Sequence, residues 1–405
     1  MSEIKDIPKH WEIKKLGEVA DYLNGRAFKP TEWETSGKPI IRIQNLNKES
    51  AAYNYSSKDF EEKYIVEKGD LLYAWSASLG VYIWNGDTAW LNQHIFKVVP
   101  KNISDKKYLY YILGQITAEL YAKAHGSGMV HVTKGKFEAT EIPFPPIPEQ
   151  QAIVAKIEDL LSELENGKQQ LLTAQQQLKV YRQSLLKWAF EGKLTNKNVK
   201  EGELPKGWKW VKLKEVASDI SDGDHQAPPK SKTGVPFITI SNVNKTTSKI
   251  DFTDTFKVNT EYYKNLKANR KPKIGDVLYT VTGSFGIPVL IDFDKEFCFQ
   301  RHIGLVRPLP EINQKWVYFL LQSPKVFSQA KKTATGTAQK TVALSSLRNF
   351  DIPFCSQNEQ QFIVSELESK LTVCDKIEET ISQSLQQAET LRQSILKQAF
   401  EGKLV

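Results

Sequence analysis

The sequence predicts a mixed α/β fold laid down twice: two homologous α/β domains joined by two long helices that form an antiparallel intramolecular coiled coil with a pseudo-two-fold axis. Three observations lead there. First, RQSLLKWAFEGKL at 182–194 returns as RQSILKQAFEGKL at 392–404, identical at 11 of 13 positions and displaced by 392 − 182 = 210 residues. Second, weaker copies precede it. IPKHWEIKKLGEVA (7–20) recurs as LPKGWKWVKLKEVA (204–217), PIIRIQNLN (39–47) as PFITISNVN (236–244), GDLLYAWSASLG (69–80) as GDVLYTVTGSFG (275–286), and IPF followed by EQQ (142–151) again at 352–361. A period of this length marks a duplicated domain, not a solenoid. Third, the displacement drifts from 197 through 206 and 208 to 210, then stays constant from residue 142 to 194.

Loops tolerate insertions, whereas one extra residue in a helix turns everything beyond it by about 100°. The drifting part is therefore a globular domain with variable loops, and the constant part is a helix whose phase matters. On this basis the chain divides into a first domain at 1–146, a first helical repeat at 147–194, a linker at 195–203, a second domain at 204–355 and a second helical repeat at 356–405.

At 405 residues, 40% hydrophobic and 25% charged, the chain has room for two domains with their own cores. No apolar stretch approaches the roughly 18 residues of a membrane span, and the N-terminal MSEIKDIPKHWEIKK lacks a signal-peptide apolar region, so a cytoplasmic location is expected. Cys298, Cys355 and Cys374 have no CxxC spacing and read as buried free thiols, with no metal site. A net charge of +8 permits nucleic acid as a partner without requiring it.

Short apolar runs bounded by Gly, Asn, Asp and Pro read as strands. In the first domain these are 40–43, 71–75, 81–84 and 94–99; in the second, 237–240, 277–281, 289–291 and 302–306. Helical patterns lie at 108–120 and 316–322. Polar residues gather at the strand ends and differ between the copies. Arg42, Gln44, Asn45 and Asn47 align with Thr239, Ser241, Asn242 and Asn244. Trp75, Ser76 and Ser78 align with Val281, Thr282 and Ser284, and Gln93 and His94 with Arg301 and His302. Late polar loops contribute Ser127, His131, Lys134 and Lys136 in one copy and Thr335, Thr337, Gln339 and Lys340 in the other. Arg26, Lys29 and Lys230 add basic candidates ahead of the strands. Arg pairs bidentately with guanine, Asn and Gln with adenine, and Ser, Thr and Lys contact phosphates, so two such sets on homologous scaffolds suit two different short DNA sequences. The same Asn, Ser and Thr residues also suit turn capping.

Each domain is followed by a Pro-rich turn and a heptad pattern. Ile157, Leu164, Leu171, Leu178 and Leu185 fall every seven residues, with Leu160, Ala174, Tyr181 and Trp188 three positions after four of them. The second series is Leu367, Cys374, Ile381, Ala388 and Ile395, with Ile377 and Leu391 expected to complete the seam. Gly192 and Gly402 suit the left-handed residue just past a helix end. An unbroken 149–190 helix would measure about 63 Å at roughly 1.5 Å per residue, against about 34 Å for a turn of B-DNA, so the helices could act as a ruler. Asn166-Gly167 is the expected place for a bend.

The order of domain, helix, domain, helix, with PxxEQQxIV opening the first helix, the related EQQxIV opening the second, and RQSxLKxAFEGKL closing each, resembles the specificity subunit of Type I restriction-modification systems. The resemblance covers essentially the whole chain. It implies a non-catalytic subunit whose two target-recognition domains each read one half of a bipartite double-stranded DNA sequence. It further implies that the helices set the spacer and dock two methyltransferase (modification) subunits, and that motor-nuclease (restriction) subunits join to complete a site-specific deoxyribonuclease and adenine methyltransferase. S-adenosylmethionine, ATP and Mg would belong to those partners and no cofactor to this chain. The sequence has no FxGxG followed by NPPY or DPPY and no GxxxxGK[ST] loop, in keeping with that division. The residues alone leave open a coiled-coil adaptor whose α/β domains bind protein or RNA. A third alternative is an enzyme with a site built from His94, His302 and nearby carboxylates, for which no nucleophile, base and orienting group can be assembled from the spacing alone.

Overall fold

The computed structural model describes residues 7–48, 50–123, 133–196, 198–200, 202–226 and 228–405. These fall into two compact units, Met1–Leu171 with Gln383–Val405, and Leu172–Ser382. Each unit is one α/β domain with part of both long helices.

In the first unit an antiparallel sheet has the spatial order Ala20–Asn24, Ile95–Pro100, Leu71–Ala74, Gly80–Ile83. A second sheet has the order Asn54–Ser56, Lys38–Ile41, Ala89–Leu91, Ile65–Val66, and its central pair is parallel. The run LLYA explains how the two are joined. Alternate side chains of a strand face opposite ways, so Leu71 and Tyr73 enter the core shared with the helix Lys106–Lys123, while Leu72 enters the core of Ile41, Leu91 and Ile95. Both faces are covered, which is why the run is continuously apolar.

The second unit repeats this plan. Its antiparallel sheet runs Ala217–Asp222, Ile303–Pro308, Val277–Thr280, Pro288–Leu290, and the parallel pair is Val235–Ile238 with Cys298–Phe299. Val277 and Tyr279 face the core containing Trp316 and Leu320, whereas Leu278 faces Ile238, Phe299 and Leu305. The repeated Gly-Asp also has one role in both units. Asp70 accepts from the Glu67 N–H and pairs with Lys97 at 2.6 Å; Asp276 accepts from the Lys273 N–H and pairs with Arg307 at 2.7 Å. Cys298, Cys355 and Cys374 are buried free thiols. No helix among the described residues is long and apolar enough to cross a membrane.

The IPF segments, read from sequence as part of a turn, are strands. Glu141–Phe144 pairs antiparallel with Glu12–Lys15, and Asp351–Phe354 with Lys209–Lys212. A two-stranded ribbon has an open edge on each side, where a proline N–H is not missed. The ribbon brings each opening Trp to the following helix. The Trp11 indole donates to Glu149 at 2.8 Å, and the Trp208 indole donates to Glu359 at 2.8 Å. The next residue is a buried Gln in both copies. Gln150 accepts from the Asp105 N–H and donates to the Ile103 and Pro145 carbonyls; Gln360 accepts from the Asn313 N–H and donates to the Cys355 carbonyl. EQQ therefore ties the start of each long helix to its domain through main-chain groups that burial would otherwise leave unpaired.

The long helices are Ile147–Phe190 and Gln357–Phe400, 44 residues each. The first continues through Asn166-Gly167 without interruption. Ile153 and Ile157 share a core with Ala399 and Phe400 in the first unit, and Leu185 and Phe190 share one with Ile363 and Leu367 in the second, so the helices run antiparallel. The buried stripe departs from the expected one. It advances by three and four through Val154, Ile157, Leu161 and Leu164, and later through Leu178, Arg182, Leu185 and Ala189. The expected column Ile157, Leu164, Leu171, Leu178 and Leu185 faces inward with companions four residues on, and of the companions expected three residues on, Leu160 and Ala174 are half-buried. Tyr181, Trp188, Ile377 and Leu391 are instead exposed, at 44%, 42%, 44% and 50%. Polar residues in the true companion column concealed it: Arg182 sits there and pairs with Asp375 at 2.7 Å and Glu378 at 3.0 Å.

Each long helix ends on a left-handed glycine pressed against a proline. Gly192 has φ 74° and a Cβ there would lie 2.1 Å from Pro205; Gly402 has φ 67° and its Cβ would lie 2.3 Å from Pro8. Gly192→Ala should destabilise the second unit by at least about 1–2 kcal/mol, the cost of a left-handed L-residue, read as a lowered melting temperature. Trp208→Phe should cost about 1.5–3 kcal/mol by removing a hydrogen bond to a charged group. Burial pushes the Glu359 carboxyl up, but hydrogen bonds from Trp208 and Ser356 outweigh it and hold the group below the ordinary 4.5. The native bond thus stabilises fully above that value and is lost as pH falls through the lower folded value, so acid titration of stability should be shallower in Trp208→Phe than in the parent.

Candidate nucleic-acid interface

Parallel strands end at the same edge, so the loops that follow them collect there. In the first unit Lys38–Ile41 and Ala89–Leu91 end side by side, with the Asn92 N–H donating to the Ile41 carbonyl at 3.2 Å. Gly25-Arg26 closes the edge: the Arg26 N–H donates to Leu91 at 2.9 Å, and the Gln93 N–H donates back to Arg26 at 2.8 Å. The Trp75 N–H reaches the His94 carbonyl at 3.1 Å. The second unit has the same lattice bond for bond. Gln300 donates to Ile238 at 3.0 Å, Asp224 to Phe299 at 3.1 Å, Arg301 to Asp224 at 3.1 Å and Val281 to His302 at 2.9 Å. Only glycine fits the close approach. A Cβ on Gly25 would lie 2.0 Å from the Asn92 oxygen, and one on Gly223 would lie 1.9 Å from the Phe299 oxygen.

Around this frame the side chains differ. In the first unit Gln44 and Gln93 are exposed, and Arg42 is half-buried with its guanidinium 5.5 Å from the Trp33 ring centre. Trp75 stacks on Phe96 at 5.6 Å and donates its indole N–H to Asn24. The His94 ring meets Trp75 edge-on at 5.0 Å; its backbone is left-handed at φ 75°, and its Nδ1 is buried with no partner among the described residues. A strained non-glycine residue of this kind costs on the order of 1 kcal/mol and is characteristic of functional loops. Ser76 and Ser78 lie in the turn around Ala77, itself left-handed at φ 61°, and Gly283 occupies the matching place at φ 67°.

Several candidates are engaged internally. The Asn45 amide is buried; it accepts from the Arg42 N–H and donates to the Ala51 and Ala52 carbonyls. Asn242, also buried, accepts from the Thr239 N–H and hydroxyl, and Thr239 shares a further bond with Ser241 at 2.7 Å. Both asparagines build the turn and, at 6% and 8% exposed, present little surface to a base. Asn47 accepts from Tyr82, and Asn244 from the Thr246 and Thr247 main chain. Arg26 is held bidentately by Glu32 at 2.9 and 2.7 Å, between Phe28 and Phe60. That pairing, with a Lys29 N–H, lowers the Glu32 carboxyl to about 2.

In the second unit Thr282 is buried and bonded to Thr341, and the Gly283 N–H donates to the Lys340 carbonyl, joining the Thr335–Thr341 bridge to the strand-end loops. Thr337, Gln339, Lys340 and Arg301 are exposed there, and Ser284 is half-buried with its carbonyl accepting from Thr280. Burial, followed by the neighbouring Arg301, lowers the pKa of His302 and so favours its neutral form. Lys29 and Lys230 are exposed outside the lattice, Lys230 beside the Phe256 ring. Lys134, paired with Glu138, and Lys136 lie on a short helix whose Phe137 stacks on Tyr73 at 4.4 Å. Ser127 and His131 lie outside the described residues.

Sequence comparison of the copies passed over Gly25, Gly223, Glu32 and Arg270. The available signal was the Gly followed by a charge in LNGRA and SDGDH. Asn45→Ala should destabilise its unit by about 1–3 kcal/mol through unpaired buried main-chain groups, lowering the melting temperature by several degrees, whereas exposed Gln44→Ala should stay within about 0.5 kcal/mol.

A family model described as the Type I restriction modification DNA specificity domain matches residues 8–174 and again 205–387. The EcoBI specificity subunit of Escherichia coli is 27% identical over 97% of this chain and 86% of its own length. The MjaVIII specificity subunit of Methanocaldococcus jannaschii is 28% identical over 98% of this chain and 94% of its own. Among solved structures, the HsdS subunit of Thermoanaerobacter tengcongensis shares the fold with a TM-score of 0.64 at 21% identity, covering 98% of both chains. A chain from a structure titled for complex assembly and conformational transition of the type I R-M system superposes with a TM-score of 0.74 at 21% identity, over 98% of this chain and 99% of its own.

Proposed function

Because this chain belongs to the Type I restriction-modification DNA specificity family and carries the family's domain twice, we propose that each strand-end cluster reads one half of a bipartite DNA target. The observation that carries this is the pairing of an identical main-chain lattice with unlike side chains: Arg42, Trp75 and Gln93 in one unit stand where Thr239, Val281 and Arg301 stand in the other, beside a histidine, His94 or His302, that both units share. Arg and Gln at such an edge have the donor and acceptor geometry that discriminates base pairs in the major groove. Exposed Lys and Arg supply phosphate contacts, in keeping with a net charge of +8.

The long helices set the distance between half-sites. At 44 residues each is about 66 Å long, close to two turns of B-DNA. Their exposed apolar side chains, Val180, Tyr181, Trp188, Phe362 and Ile377 among them, dock two methyltransferase subunits, and motor-nuclease subunits complete the restriction enzyme. S-adenosylmethionine, ATP and Mg act on those partners. The role of this chain is to position them on DNA.

Exchange of residues 1–146 for another domain of the family should change one half of the methylated sequence and leave the other intact; a change in both halves or in neither would sink the proposal. Removing one heptad from each helix should shorten the spacer with both half-sites retained, and an unchanged spacer would exclude the ruler. DNA affinity of the assembled complex should fall steeply with salt through counterion release, whereas a flat dependence would favour the protein- or RNA-binding adaptor.

A further inference from the structure

The residue after the close-approach glycine is charged in both units, but with opposite sign. Arg26 in the first unit occupies the main-chain position of Asp224 in the second: each donates its N–H to the carbonyl that ends the parallel strand, and each accepts the N–H of the loop residue, Gln93 or Arg301. Each is held by a partner of opposite charge. Arg26 has Glu32, at 2.9 and 2.7 Å, and lies over the Phe60 ring at 4.1 Å. Asp224 has Arg270 at 3.4 Å and accepts a hydrogen bond from the Tyr262 hydroxyl; Arg270 also lies 3.8 Å from Asp222. A carboxylate at this place repels phosphate, and it has no donor for a guanine. The role common to both copies is therefore internal, and the sign of the charge is immaterial provided that the partner matches.

We propose that Arg26–Glu32 and Asp224–Arg270 are positioning pairs. Each fixes, through the main chain of residue 26 or 224, the loop that carries Gln93 and His94 or Arg301 and His302, and so sets the fidelity with which one half-site is read. Arg26 is then not a DNA contact, although its residue type suggests one. This rests on the assignment of one half-site to each domain.

The test uses the full chain assembled with its modification subunits and a target library randomised in both half-sites. Glu32→Ala removes a negative charge, which by electrostatics alone favours DNA, yet it should cut discrimination at one half-site by roughly tenfold, within the range of a single base-pair preference, and leave the other unchanged. Arg270→Ala should relax the opposite half-site only. Arg26→Ala should match Glu32→Ala in its methylation spectrum and keep the slope of log affinity against log salt, whereas loss of about one unit of slope would identify a phosphate contact and overturn the assignment. Where Glu32→Ala does not fold, Glu32→Gln keeps the shape without the charge and carries the same readout. An unrelaxed spectrum in folded variants that still methylate a bipartite site overturns the positioning role alone. Relaxation of both halves by one variant overturns the one-domain, one-half-site reading together with this inference.

Discussion

The hydrogen bond from an indole to the first-turn glutamate of a long helix is the constraint on which the mounting of each domain depends. Trp11 to Glu149 and Trp208 to Glu359 join the residue that opens a domain to the helix that follows it. A carboxylate there is doubly favoured, since it also lies at the positive end of the helix. The adjacent Gln150 and Gln360 satisfy main-chain groups in the loop before the domain's own helix, so domain and arm have no independent way to part without exposing unpaired polar atoms. Salt bridges Lys107–Glu158 and Lys315–Glu368 lie on the same face in both copies, although exposed pairs of this kind add little.

Mounted in this way, the domain has a rigid scaffold and a variable edge. Strands buried on both faces, such as Leu71–Ala74 and Val277–Thr280, accept only changes that their packing accommodates, LLYA in one copy and VLYT in the other. Their ends carry no such restriction. The main-chain lattice that joins Gly25-Arg26 to Asn92-Gln93 uses no side-chain atoms, so side chains can diverge between copies while the loops keep their course. This property is what the proposed reading of two unlike sequences with one architecture requires.

The helix pair follows a different economy of residues. Its buried stripe accepts Arg182 because Asp375 and Glu378 meet it, and the apolar side chains Tyr181, Trp188, Ile377 and Leu391 lie outside. A seam with charged members is less stable in isolation than an apolar one, but ionic partners define its register. Apolar residues left outside a two-helix seam are the raw material of a protein interface.

Much of this was legible in the amino-acid order. The duplication, the strands at the apolar runs, the two long helices and the left-handed glycines at 192 and 402 all follow from local periodicity and steric preference, which act between near neighbours in sequence. The family followed from the same repeats. What tertiary structure alone decided is which polar atoms remain available. Asn45 and Arg42 look equally suited to a base, yet Asn45 is used up by the carbonyls of Ala51 and Ala52, and Arg26 by a carboxylate six residues away. The seam shows the same limit: Ile377 and Leu391 match the heptad by type but lie outside, whereas the inward column holds Arg182, which pairs with Asp375 on the other helix. Hydrogen bonds and ion pairs are satisfied through space, and spatial partners are invisible to a pattern read along the chain.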